Sequence, residues 1–247
     1  DKKGSIGGVH GGPAGVSADA GGVYLLHAGE EGEHGLRKID AAGNVLWTHS
    51  TGNYAPATAV ASDGTHAYMF AGFPELSLVC MDAVTGRDAP MGKAGARITL
   101  GDPKKGFAGL AIVKGKAYIS VATENRLAVI DVATGQAEAD IPLSLPGRLC
   151  RQDDTHLLAI SGDKVVRLDL GTRAITLLIS SLTVPSGIAL DREGRIYVAE
   201  QGNKQQITQF KADGTRIATF GKADGRAPTV PKYDPLEFRL KPFIVGA

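Results

Sequence analysis

The sequence predicts an all-β fold, a β-propeller of four-stranded antiparallel blades, and three observations predict it. Short apolar runs recur between turn-forming clusters, with no stretch left over for a helix. A strand of similar make-up returns every 40 to 50 residues or so, the period of a propeller blade. Each return runs on into an Asp- and Gly-bearing turn that reverses the chain.

The pattern is plainest between Val184 and Gly221, where GIAL, IYVA, ITQF and RIATF are separated by DREG, EQGNKQQ and KADG. The same second strand is found in VYLLHA from Val23, AYMFAG from Ala67, AYISVA from Ala117, HLLAIS from His156 and IYVAEQ from Ile196. Tyr24, Tyr68, Tyr118 and Tyr197 fall at one point of the repeat, and Leu157 takes that place in the fourth unit. A third strand follows each time: LRKIDAAGN, LVCMDAVTG, LAVIDVATG, VVRLDLGTR and ITQFKADGT. Small residues dominate the first strands (AGVSA, ATAVA, AGLAI, SGIAL), as a strand crowded around a central axis requires. Trp47 falls on an outer strand and is expected to pack one blade against the next.

The blades are expected at 8–52, 53–101, 102–144, 145–181 and 182–226, in a single propeller domain or a segment of one spanning 1–247. Residues 227–247 read as a connection and the start of a next blade, because PFIVGA repeats the pattern of PSGIAL. That makes five full blades and the first strand of a sixth, unless PFIVGA only pairs on a sheet edge to close the array. A start at Asp1 with no methionine is expected of a processed or partial chain.

PSGIALDREGRIYVAEQGNKQQITQF, from Pro185, resembles an NHL repeat, with Glu200 where the usual form has Asp and Gln205 and Gln206 near its usual Arg. The earlier turns resemble YVTN-type and quinoprotein-like propeller repeats. The resemblance implies the propeller and leaves function open, since propellers carry many activities.

Composition excludes several classes. Thirty-three glycines and twelve prolines in a chain that is 43% hydrophobic describe many turns around a real core, not disorder. A net charge of +1 with interleaved signs argues against a nucleic-acid partner. No apolar run is long enough to span a membrane as a helix. Cys80 and Cys150 have no metal-ligand spacing and define no disulfide framework.

Loops between blades, and those between second and third strands, are expected to share one rim of the central channel. On that rim Tyr54, Phe73 and Phe107 would offer apolar faces to a carbohydrate or peptide. Lys104, Lys105, Glu124, Arg126, Arg148 and Glu200 would offer charge and hydrogen bonds to the same ligand. His10, Glu30, Glu31, Glu33 and His34 are the candidates for a divalent metal, zinc or calcium, because carboxylate and imidazole in one loop suit such an ion. Catalytic residues are not assigned.

Two functions compete. The first is a non-catalytic binding or scaffold module for a protein partner or a carbohydrate or peptide ligand, set in a larger, bacterial, exported polypeptide (periplasmic or extracellular) with other domains. The alternative is a metal-dependent lyase or hydrolase, lactonase-like or amidating-lyase-like, at the same rim. The family resemblance weakens the lactonase version: Ser186 stands where those propellers place a ligand Asn. The expectation is the binding module.

Overall fold

The computed structural model describes residues 12–28, 35–50, 59–72 and 74–225. These residues form twenty strands in five four-stranded antiparallel sheets, each a meander with its strands in chain order. The blades are β1–β4 (Gly12–Asp19, Gly22–Ala28, Gly35–Ile39, Val45–Ser50) and β5–β8 (Val60–Ser62, His66–Ala71, Leu76–Asp82, Arg97–Gly101). They continue with β9–β12 (Phe107–Val113, Lys116–Val121, Arg126–Asp131, Ile141–Pro142) and β13–β16 (Pro146–Arg151, His156–Ser161, Lys164–Asp169, Ile175–Ile179). The fifth is β17–β20 (Pro185–Leu190, Ile196–Glu200, Gln206–Phe210, Arg216–Phe220). The all-β propeller of four-stranded blades predicted from sequence is the observed fold. The sixth-blade strand, Pro242 to Ala247, lies outside the described residues. Helix is confined among them to three single 3₁₀ turns, Gly92–Ala94, Pro103–Lys105 and Ala122–Glu124.

The chain divides into two compact units after Asp140. In the first, Tyr24, Leu26, Leu36, Trp47, Met69 and Met81 form one core, and Tyr68, Phe70, Leu78, Phe107, Ile112 and Ile119 another. In the second, Leu158, Val165, Ile179, Ile196, Val198 and Phe210 pack together. Truncating a fully buried member such as Leu36 to Ala would cost about 3 kcal/mol.

Side-chain hydrogen bonds fix the turns. In the third-to-fourth-strand turns Asp82 accepts from Val84 N, Thr85 N and Thr85 Oγ1, and Asp131 accepts from Thr134 N and Oγ1. Asp40 and Asp169 do the same for Ala42 and Asn44, and for Gly171 and Thr172. These carboxylates titrate below their ordinary value, chiefly because the folded turn donates hydrogen bonds to the ionised form. The repeated tyrosines have a similar cause. Tyr24, Tyr68 and Tyr197 donate to Asp19, Asp63 and Asp191 in the preceding turn, at 2.7, 2.9 and 3.0 Å.

The outer strand of one blade receives the third turn of the next. Trp47 on β4 is nine-tenths buried, donates from Nε1 to Ala83 O at 3.2 Å, and lies so close to Gly86 that an added Cβ would meet its ring at 2.5 Å. Gly214 sits equally tightly over β16, where a Cβ would fall 2.0 Å from Leu178 O. Both glycines have positive φ, 69° and 88°, so the position demands glycine twice over.

Candidate functional site

The third blade brings four of the nominated residues together. The connection into it, Asp102 to Gly106, winds into a 3₁₀ turn because Pro103 is preset for its start and Asp102 accepts from Lys104 N at 2.9 Å. Gly106, with φ of 70°, ends it. The β10–β11 connection forms a second such turn, ended by Asn125 in the left-handed region at φ 51°. Thr123 Oγ1 donates to Lys105 O at 2.7 Å and ties the two turns into one edge.

On this edge the charges are ordered. Glu124 accepts from Arg126 Nε at 2.6 Å and pairs with Lys105 Nζ at 3.3 Å, while Arg126 Nη1 donates to Asp140 Oδ1 at 3.0 Å. The Arg126 hydrogen bonds, helped by Lys105, hold the Glu124 carboxyl below its ordinary value against the effect of burial. Lys105 and Arg126 are balanced by Glu124 and Asp140. Lys104 projects exposed beside them. The guanidinium is thus clamped in one orientation, and the exposed Lys104 belongs to the adjoining turn.

Phe107 begins β9 but is no part of this surface. Its ring is buried and packs edge-on against Phe70, centroids 6.0 Å apart. The reason is register: Phe107 stands directly opposite Val121, whose side chain is wholly buried.

Glu200 and Arg148 belong to the second unit. Glu200 ends β18 with no exposed surface. It accepts from Thr183 N at 2.7 Å, Thr208 Oγ1 at 2.8 Å and Lys204 Nζ at 2.8 and 3.1 Å. Burial pushes its carboxyl up, but the bonds from Lys204, Thr183 and Thr208 outweigh it and leave the carboxyl below its ordinary value. Arg148 is half-buried on β13, and burial lowers its guanidinium to about 10. Ser186 on β17 donates to Ala199 O at 3.3 Å.

Tyr54, Phe73 and the metal candidates His10, Glu30, Glu31, Glu33 and His34 lie outside the described residues. Among the described residues no three His, Cys, Asp or Glu side chains are grouped to hold a metal, and no helix is long and apolar enough to cross a membrane. Asp140 and Thr208 were not singled out from sequence. Lys204, four residues after Glu200, carried a signal in its spacing. Asp140 did not, since fourteen residues and a strand separate it from Arg126.

No family model matches the chain, and no curated protein matches it. Solved structures do. The chain is similar to a Bacteroides caccae protein of unknown function, with 16% identity and a TM-score of 0.65 over 86% of this chain and 82% of that one. It is similar to a streptogramin B lyase, with 16% identity and a TM-score of 0.56 over 85% of this chain and 68% of that one. A third likeness is to a catalytically inactive virginiamycin B lyase from Staphylococcus aureus with quinupristin, with 18% identity and a TM-score of 0.55 over 89% and 71%. At such identity the likeness shows the fold. The chain is of the β-propeller class, as its repeats imply.

Proposed function

We propose that this propeller is a binding module that engages a peptide or protein partner through the connection edge of its third blade. One observation carries the reading: Arg126 is clamped between Glu124 and Asp140 on two interlocked turns, with Lys104 exposed beside it. Pre-ordered charge of this kind serves recognition, because little side-chain freedom is lost when a partner arrives. A partner carboxylate would meet Lys104, while Arg126 and Glu124 set the register. The module's setting in this proposal is an exported, multidomain polypeptide. The test is binding of a fluorescent acidic peptide, such as a short glutamate-rich sequence, to the protein and to the Lys104→Glu variant. Binding that weakens at least tenfold in the variant, at unchanged Tm, supports the reading. Equal binding by both, or none by either, removes this edge as the site.

A second reading is favoured by the likeness to a streptogramin B lyase and to a virginiamycin B lyase with quinupristin: a lyase acting on a ligand of quinupristin's class. His10, His34 and Glu30, Glu31 or Glu33 are its proposed metal donors. Incubation with quinupristin, with and without zinc or calcium, followed by chromatography, tests it. Metal-stimulated loss of quinupristin that disappears in His34→Ala supports a lyase. No loss under any condition leaves the binding module.

A further inference from the structure

A left-handed backbone point recurs ahead of three first strands, and two blades fill it with residues that the fold alone would not select. The residue just before β9, β13 and β17 is Gly106, Leu145 and Val184. Each carbonyl accepts from the N–H just past the end of the second strand. Gly106 O accepts from Ala122 N at 3.0 Å, Leu145 O from Gly162 N at 3.0 Å and Val184 O from Gln201 N at 3.1 Å. Their φ angles are 70°, 45° and 44°. The third blade meets this with glycine, which adopts such a conformation freely. Leucine and, above all, β-branched valine do not. Both also precede a proline, which favours extended backbone in the residue before it.

Apolar side chains are the exception at such points. Eight non-glycine residues have positive φ among the described residues, and the other six, Lys114, Asn125, Arg173, Ser181, Gln205 and Asp224, are polar. The two apolar ones contribute little to a core, since Leu145 is 61% and Val184 58% exposed. A lone exposed aliphatic side chain needs no explanation, but one held on strained backbone does. They are also seated. Leu145 Cδ1 lies 3.7 Å from where a Cβ on Gly162 would stand, and Val184 Cγ2 is 3.7 Å from the same point on Gly202. Each therefore rests against the loop that follows its own blade's second strand.

What they suit follows from their surroundings within the second unit. No residue of 144–146, 161–164, 181–186 or 200–205 is aromatic, so nothing there would stack on a sugar or a base. Neither sign of charge prevails: Asp163 and Lys164 are both exposed, and Glu200 is paired with Lys204. Exposed polar residues adjoin each aliphatic one, Asp163 beside Gly162 and Asn203 beside Gly202. Such a mixed surface suits a peptide, with its alternation of side chain and backbone, better than a continuous acyl chain. We propose that Leu145 and Val184 form an aliphatic docking edge on the fourth and fifth blades, which takes uncharged apolar side chains of a peptide. This edge stands apart from the one that carries Lys104 and does not depend on it.

Fluorescence anisotropy with a fluorescein-labelled Gly-Leu-Val-Leu-Ile-Gly peptide, together with thermal unfolding, tests the proposal. The proteins are the whole chain and its Leu145→Asn, Val184→Asn and Val184→Leu variants. Asparagine tolerates the left-handed conformation, so either asparagine variant should keep Tm within about 2 °C of the wild type or raise it. Its binding should weaken about fivefold or more, because an aliphatic contact is lost. Val184→Leu keeps an aliphatic side chain and should bind the peptide as the wild type does. A larger fall in Tm in both asparagine variants would overturn the proposal, because the side chains would then serve the fold. So would equal binding by every protein, binding by none, or binding lost in Val184→Leu as well. Phosphatidylcholine vesicles that retain the wild type but not Val184→Asn would overturn it in favour of a lipid surface. A dimer that Val184→Asn dissolves would overturn it in favour of a second copy.

Discussion

The third and fifth blades each carry a lysine–glutamate pair at the connection end of their sheets, and the two pairs are made of the same chemistry in opposite surroundings. Lys105 and Glu124 meet at 3.3 Å with both side chains at least one-third exposed. Lys204 and Glu200 meet at 2.8 Å with the carboxylate wholly inside. An exposed pair contributes little, since water solvates either ion nearly as well as its partner does. A buried carboxylate has lost that water, so its partners hold in place a charge that is otherwise destabilising. In the third blade the residue three beyond the repeat tyrosine is Val121, and in the fifth it is Glu200; both are buried. The fifth blade therefore spends a core position on a charge.

The largest expected effect removes that charge's partner. Lys204→Ala should destabilise the protein by about 3 kcal/mol, because Glu200 would keep its burial and lose its cation. Urea denaturation reads it directly, and a change under about half a kcal/mol would show that Thr183 N and Thr208 satisfy the carboxylate alone. The pH dependence follows from the same group. Glu200 titrates lower in the folded chain than its ordinary 4.5, so its contribution is present above that value and is lost as pH falls through the folded one. In Lys204→Ala the folded carboxyl titrates higher, and acid unfolding, followed by circular dichroism, should begin at a higher pH than in the wild type.

A smaller effect compares the same two blades at their turn glycines. Gly135 and Gly214 both have positive φ, 72° and 88°, so alanine at either is strained by about 1 kcal/mol. Their neighbours differ. A Cβ on Gly135 would meet the Ala94 methyl at 3.0 Å, whereas on Gly214 it would fall 2.0 Å from the Leu178 carbonyl oxygen. Gly214→Ala should lower Tm by several degrees more than Gly135→Ala. Equal losses would mean that only the backbone conformation matters, and that the glycine does not set the spacing between blades.

These contrasts also mark what could be read from the sequence. The turns were legible because their causes are local: an Asp and a backbone N–H two or three residues apart close the turn wherever the pair occurs. The tyrosine at one point of the repeat was legible too, although its bond to Asp19, Asp63 or Asp191 needed the structure. Glu200 was nominated for a ligand surface because it ends a strand at a rim. Its alternation with Ile196 and Val198, three residues on one face, was the available sign that it points into the core. Phe107 is a related case: only its pairing partner, Val121, shows which way it faces. Of the candidate edge, the charged residues were visible, but the clamp on Arg126 depends on Asp140, which tertiary folding alone brings to it.

The smallest expected effect is the one that separates recognition from stability. Lys105→Ala breaks an exposed ion pair, and the midpoint of urea unfolding should move by less than about half a kcal/mol. Glu124 keeps Arg126, which supplies most of what holds its carboxyl low, so the clamp survives. The backbone carbonyl of Lys105 still receives the Thr123 hydroxyl, because that bond does not depend on the side chain. If the third-blade pair did stabilise the fold as the fifth-blade pair does, this variant would lose 2 kcal/mol or more by the same unfolding measurement, roughly the effect of breaking a buried pair. A neutral result instead frees the side chain from any structural duty, and a charge that the fold does not need is available to a partner.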